Sequence, residues 1–237
     1  MAGLNIIYED QHILAIDKPA GIICFGENEY QENESSMAKM LLETYPEQAQ
    51  IGEPPRYGIA HRLDKETSGL LLIAKDNETL SWLQEGFKDH GVSKTYLALV
   101  TGKLPQSQGT IEAVIGRHPS DRTKQAAFLP IDPQAQKKGI RPAITNWKKV
   151  KEFANYTLVE AQPETGRRHQ IRVHFQFIGH PLTGDKVYGF KDQPLPQGLT
   201  RHFLHAAKVS LKNKDGQTLT LECPLPPDLE IVLKNLK

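Results

Sequence analysis

The stretch His61-Arg62-Leu63-Asp64-Lys65-Glu66-Thr67-Ser68-Gly69-Leu70-Leu71-Leu72-Ile73-Ala74 decides how the chain is read. A charged turn runs directly into an apolar run of strand length, an arrangement in which a rigid buried element holds a reactive side chain in place. Asp64 lies between Arg62 and Lys65. Neighbouring cations favour its ionised form, which suits a nucleophile or a general base and makes a poor proton donor. Thr67, Ser68 and Gly69 form a turn whose hydroxyls and backbone amides can hold a carboxylate or phosphate oxygen, and the glycine permits a close approach. An isolated Arg-Leu-Asp triplet more often caps or pairs at a strand entrance, so the triplet alone carries no function.

Outward from this stretch the elements follow in an order that sets the fold class. Upstream, Ile6 to Glu9 and Ile13 to Asp17 read as a hairpin, followed by a tight turn at Lys18-Pro19-Ala20-Gly21. The acidic run from Glu27 to Ser36 reads as a surface loop. Ser36 is then the cap of a helix through Tyr45, with Met37, Met40, Leu41 and Tyr45 on one face. Downstream, Asp76 to Asp89 has Leu80, Leu83 and Phe87 at helical spacing. Strands are expected over Lys94 to Val100, Thr110 to Ile115, Gln125 to Leu129, Ala143 to Val150 and Thr157 to Ala161. Thr165 and Gly166 read as a helix entrance, with Gln170, Val173, His174 and Phe177 on one side and Arg172 about 100° away from Val173. Leu204 to Leu211 and Thr218 to Cys223 form a closing hairpin turned at Lys214-Asp215-Gly216, and Pro226 to Leu236 is a final helix. Strands that follow one another mostly without crossover helices predict an α+β fold with a mixed, largely antiparallel β-sheet flanked by helices.

The 237 residues, 38% hydrophobic, suffice for one substantial core or two small ones. No apolar run approaches the roughly 18 to 20 residues that span a bilayer, and Met1 to Tyr8 lacks the regions of a signal peptide. A soluble, cytoplasmic protein with no membrane partner is expected. Cys24 and Cys223 make neither a zinc site nor a disulfide framework, and read as reduced structural thiols. The net charge of +1 conceals a segregation: residues 1–60 carry 3 Lys/Arg against 10 Asp/Glu, while residues 117–151 carry 9 against 2. Local charge density sets attraction to phosphates, so the basic insert at about 117–151 is a candidate RNA-facing surface. An ordinary solvated hairpin is the plain alternative.

His-Arg-Leu-Asp-x-x-Thr-Ser-Gly-Leu resembles the active-site signature of the RluA family of pseudouridine synthases, over ten positions that include the rarer His, Arg, Asp and Gly. Two further stretches extend the resemblance. On residue type alone Tyr96 is a core aromatic, yet Ser93-Lys94-Thr95-Tyr96 resembles the family's Lys-x-Tyr motif, whose tyrosine stacks on the target uracil. Three arginines within Arg167 to Arg172 suggest a solvated or phosphate-binding face. Thr165-Gly166-Arg167-Arg168-His169-Gln170-Ile171-Arg172-Val173-His174, however, resembles a motif whose second arginine, here Arg172, pairs with the catalytic aspartate. His169 and His174 do not read as metal ligands, because Arg168 and Arg172 place positive charge where a cation would bind; packing or RNA contact fits them better. Gly179 to Gly189 resembles the loop that follows this helix in the family.

The resemblance implies the pseudouridine synthase catalytic fold as a single domain over residues 1–237, bilobed with a central cleft. It implies isomerisation of a uridine in RNA to pseudouridine, without metal or organic cofactor. Asp64 is then the catalytic nucleophile or base, Tyr96 the platform for the flipped base, Arg62 the side chain that fills or guards the vacated space, and Arg172 the partner that orients Asp64. Thr67, Arg167, His169 and Gln170 are placed at the substrate. The chain has no room before Ile6 for the small S4 RNA-binding domain that many members carry, so recognition falls to the catalytic domain and its basic insert. Ribosomal RNA is favoured over transfer RNA, and a monomer is expected. The alternatives are a non-catalytic RNA-binding or ribosome-assembly protein on the same fold, and a glycoside hydrolase; the latter needs a second carboxylate, for which Glu66 is too close in sequence.

Overall fold

A computed structural model describes residues 3–26, 34–121, 123–213 and 216–237. Its strands are β1 (Ile6–Glu9), β2 (Ile13–Lys18), β3 (Ser68–Ala74), β4 (Val92–Thr101), β5 (Gln108–Arg117), β6 (Gln125–Phe128), β7 (Arg141–Glu152), β8 (Tyr156–Pro163), β9 (Leu204–Lys212) and β10 (Thr218–Glu222). Its helices are α1 (Met37–Thr44), α2 (Asn77–Lys88), α3 (Gln170–Phe177) and α4 (Pro227–Asn235). This is the α+β, largely antiparallel sheet architecture that the order of strands predicts. Most of the acidic loop expected from Glu27, and the Lys214-Asp215 part of the last hairpin turn, lie outside the described residues. The chain divides into two compact units, Met1–Ser93 with Ala206–Pro224, and Lys94–His205 with Leu225–Lys237.

In the first unit the strand order is β1-β2-β3-β9, with β10 alongside β9. The β2–β3 pairing is antiparallel, from Ile13 opposite Ala74 to Lys18 opposite Gly69. All seven residues of β3 are buried, as befits an apolar run covered on both faces. Gly69 is obligatory here for two reasons. Its φ is +112°, and a side chain on it would run into the main chain of Ala206 in β9. Helix α2 covers this sheet with Leu80 and Leu83, which join Ile13, Leu70, Leu72, Val209 and Leu221 in one core. Its start is fixed by Asp76, whose carboxylate accepts from the Thr79 amide at 2.6 Å. Ser36 caps α1 in the same way through the Lys39 amide, and α1 buries Met37, Ala38 and Leu41.

In the second unit the order is β4-β8-β7-β5-β6, with every neighbouring pair antiparallel. A bulge between Lys149 and Lys151 shifts the β7–β8 register and leaves Val150 exposed, so the strand continues to Glu152 past the apolar end that its sequence suggests. Helix α4 closes a core of Leu99, Phe153, Tyr156, Leu158 and Phe203 with Leu229 and Val232. On α3, Val173 packs with Ile115, Ala143 and Tyr188, and Phe175 sits 6.5 Å from the Trp147 ring. Among the described residues no helix is long and apolar enough to cross a membrane.

Candidate active site

The residues Arg62, Asp64 and Thr67 fall together in the first unit, on the turn that enters β3. Leu63 and Thr67 are buried, Asp64 is half-buried, and Arg62, Lys65 and Glu66 are exposed. The turn closes on itself through the Thr67 amide, which donates to the Asp64 carbonyl at 3.0 Å. It is also held from outside by residues 18–25. The Gly21 amide donates to the Lys65 carbonyl at 2.8 Å, and Lys18 Nζ donates to the same oxygen at 3.1 Å. Lys18 is fully buried, and its ammonium is satisfied further by the carbonyls of Pro19 and Ile22, each at 2.8 Å. A buried charge persists only with partners of this kind. Cys24 Sγ accepts from the Leu63 amide at 3.2 Å and donates to the Leu63 carbonyl at 3.5 Å. The Arg62 guanidinium lies 5.7 Å from the centre of the Phe25 ring, and Arg56 lies 4.9 Å from the same ring. His61 Nε2 accepts from the Leu72 amide at 3.0 Å, tying the start of the turn to β3.

The other expected residues, Tyr96, Arg167, His169, Gln170 and Arg172, fall together in the second unit. Tyr96 is opposite Ala161 in the β4–β8 ladder and is 8% exposed. Burial pushes the Lys94 ammonium down to about 8. Its Nζ lies 3.9 Å from where a Gly166 side chain would begin, so the Lys-x-Tyr strand meets the glycine of the arginine-rich motif. That motif does not enter its helix at Thr165 and Gly166 as its residue types suggest. Helix α3 begins at Gln170, after a left-handed His169 with φ of 57°, and no side chain caps it. The Thr165 hydroxyl instead donates to Gln170 Oε1 at 2.6 Å, and the Arg167 amide donates to the same oxygen at 3.0 Å. Gln170 Nε2 donates to the Ile144 carbonyl and to Thr145 Oγ1. All four hydrogen-bonding positions of this buried amide are therefore used to brace the turn against β7.

Arg172 is nearly buried and forms a two-point pair with Asp185, Nε to Oδ2 at 2.7 Å and Nη2 to Oδ1 at 2.9 Å. Burial alone raises the Asp185 pKa, but hydrogen bonding and charge from Arg172 outweigh it and hold the carboxyl below its ordinary value. Asp185 Oδ1 also accepts the amides of Val187 and Tyr188. The Tyr188 ring lies 5.0 Å from the Arg172 guanidinium, and its hydroxyl is 2.8 Å from His169 Nδ1 and accepts from the Gln125 amide of β6 at 2.9 Å. Arg167 Nε donates to the Pro142 carbonyl at 3.0 Å. Burial, then the charge of Arg141, lowers its pKa. His174 is fully buried, with Nδ1 2.9 Å from Thr145 Oγ1 and Nε2 lacking a partner among the described residues. Burial drives its pKa down to about 4, so the ring is neutral near pH 7.

Three contributors are not marked as site residues by the sequence, Lys18, Cys24 and Asp185, whereas Tyr188 is expected to pack against the shaped loop near the site. The signal for Asp185 and Tyr188 was present, since both lie inside the Gly179 to Gly189 stretch whose pattern stood out. An arginine-rich helix start that becomes buried calls for a carboxylate, and Asp185 is the acid within that stretch.

Comparison with known proteins adds to this geometry. A model of the RNA pseudouridylate synthase family matches residues 12–177, a span that includes the Asp64 turn, β4 and all of α3. The ribosomal large subunit pseudouridine synthase D of Nitrosomonas europaea is 39% identical over 241 residues, which cover 99% of this chain and 65% of that protein. The protein of the same name from Pseudomonas aeruginosa is 38% identical, covering 99% of this chain and 72% of its own length. The chain thus spans about two thirds of the length of such relatives. Among solved structures, human RNA pseudouridylate synthase domain containing 4 superimposes with a TM-score of 0.76 at 25% identity, covering 98% of this chain and 94% of that one.

Proposed function

The chain belongs to the RNA pseudouridylate synthase family, and from that premise we propose that it isomerises uridines in structured RNA to pseudouridine, with Asp64 as the catalytic residue. One observation carries the reading: the family match spans residues 12–177 and so takes in all three motifs, the Asp64 turn among them. The reaction conserves mass. The C1′–N1 bond breaks, the uracil turns, a C1′–C5 bond forms, C5 loses its proton and N1 gains one. Asp64 acts as nucleophile or base in opening that sequence. Tyr96 stacks on the extruded base, an interaction worth about 1–3 kcal/mol that helps offset unstacking. Arg62, on the exposed side of the turn, fills the space that the base leaves.

The relatives named for the ribosomal large subunit favour ribosomal RNA as the substrate, with transfer RNA as the other candidate. The phosphate-facing surface is the basic segment around β6, where Arg117, Lys137, Lys138 and Arg141 are exposed beside Leu129 and Ile131. The protein works as a cytoplasmic monomer without metal or organic cofactor.

Pseudouridine mapping on total RNA tests the proposal, in cells lacking the gene and in cells complemented with wild type or Asp64→Asn. Specific sites should vanish on deletion and return with the wild type alone. Persistence of every site, with RNA binding intact, would leave an RNA-binding or ribosome-assembly protein in place of an enzyme.

A further inference from the structure

We propose that Cys24 is a positioning residue for Asp64, acting through the main chain of Leu63 and setting the rate of the chemical step rather than the affinity for RNA. The inference rests on the reading of Asp64 given above. Leu63 is 4% exposed, and among the described residues its backbone amide and carbonyl have one hydrogen-bond partner, the Cys24 thiol. A buried peptide group without a partner is strongly disfavoured, so this thiol stands where a neighbouring strand would normally pair. The Leu63 carbonyl belongs to the same peptide plane as the Asp64 nitrogen. Cys24 therefore fixes the plane before Asp64, while the Thr67 amide, bonded to the Asp64 carbonyl, fixes the plane after it. With both flanking planes set, the direction of the Asp64 Cα–Cβ bond is set as well.

The thiol is itself well anchored. The Cys24 carbonyl accepts from the Ala38 amide and the Ile23 carbonyl from the Met37 amide, both at 2.9 Å, so the clamp is seated on the first turn of α1. Burial raises the Cys24 pKa above its ordinary value, which keeps on the sulfur the proton that it donates to Leu63. The next residue, Phe25, faces Arg62, so two consecutive residues hold the two that precede Asp64.

Cys24→Val keeps the volume and removes donor and acceptor alike; Cys24→Ser keeps both with a shorter reach. Each is compared with wild type by single-turnover pseudouridine formation, RNA dissociation constant, thermal melting and hydrogen exchange at the Leu63 amide. Small misplacements of a reacting group cost up to about 100-fold in rate, so Cys24→Val should slow the chemical step by about 10-fold or more, with the RNA dissociation constant within about twofold of wild type. Exchange at Leu63 should accelerate, and Cys24→Ser should recover part of both effects. An unchanged rate in Cys24→Val despite faster Leu63 exchange would overturn the proposal, as would a loss confined to RNA affinity. If wild type itself forms no pseudouridine, the reading of Asp64 fails instead, and unchanged exchange at Leu63 would still reject the clamp.

Discussion

The Asp64 turn and the Thr165 to Tyr188 segment carry the two longest motifs of the chain, and they are built by opposite means. The first is fixed through its main chain: the carbonyls of Asp64 and Lys65 and both backbone groups of Leu63 take the bonds that shape it. The second is fixed through its side chains, with Gln170, Arg172, His174, Asp185 and Tyr188 bonded in a mostly buried network. A turn held by its backbone tolerates a change of side chain and then reports on chemistry. A segment held by its side chains reports on folding when any of them is changed.

The largest effect that tests this contrast is on activity. Asp64→Asn preserves shape and leaves the backbone bonds of the turn in place, so melting should shift by no more than a few degrees. Pseudouridine formation should fall by about a thousandfold or more, about 4 kcal/mol of transition-state stabilisation. A melting loss as large as that of a core substitution would break the contrast. Next in size is Asp185→Ala, which takes the two-point Asp185 carboxylate away from the buried Arg172 guanidinium. Removing one partner of a buried pair costs about 3 kcal/mol or more, read from the urea midpoint. Here stability should fall in the absence of any RNA.

A third test uses pH. His174 titrates at about 4 when folded and near 6.5 when unfolded, so the unfolded chain binds its proton first as pH falls. The stabilisation from neutral His174 is complete above roughly pH 6.5 and is lost progressively down to the folded value, about 2 kcal/mol between roughly pH 7.5 and pH 5. Urea unfolding of wild type against His174→Gln isolates this contribution, and the variant should show the shallower dependence. Equal slopes would remove His174 from the network.

The same division explains what could be read from the sequence. Local signals were legible: Ser36 bonds an amide three residues on, so α1 starts where its cap suggests, and α2 fills the helical stretch read from Asp76 to Asp89, with Asp76 as its cap rather than its first residue. The buried run of β3 was equally plain, but Ser68 and Gly69 belong to that strand rather than to an anion-holding turn, and the close approach at Gly69 is to the Ala206 main chain of β9. Thr165 misled because the residue type that caps helices also serves in turns. Its hydroxyl bonds a glutamine side chain five residues on, and the helix waits for Gln170. Helical spacing also missed that Ile171, Arg172 and Phe175 are buried along with Val173 and His174, because the first turns of α3 are covered on all sides. Cys24 and Lys18 act on residues 39 and 47 positions away, and no spacing rule reaches that far. The roles of Asp64, Tyr96 and Arg172 came from the family resemblance; their spacing alone was compatible with capping, core packing and a solvated face.

The smallest effect is also the sharpest test of how the side-chain network is joined to the basic segment. Tyr188 has two separable functions: its ring faces Arg172, and its hydroxyl links His169 to the Gln125 amide at the start of β6. Tyr188→Phe keeps the ring and its packing with Ile115, Ala143 and Val173, and removes the hydroxyl that makes the link. Two hydrogen bonds are lost, each worth about 1 kcal/mol or less, so the urea midpoint should move only modestly. Exchange at the Gln125 amide should accelerate, because its acceptor is gone. If β6 presents the phosphate-facing surface, loosening its end should weaken RNA binding more than it slows single-turnover chemistry, the reverse of what Cys24→Val is expected to do. A variant that instead slows chemistry at unchanged affinity would place Tyr188 with the reaction, acting through His169, and would separate it from RNA recognition.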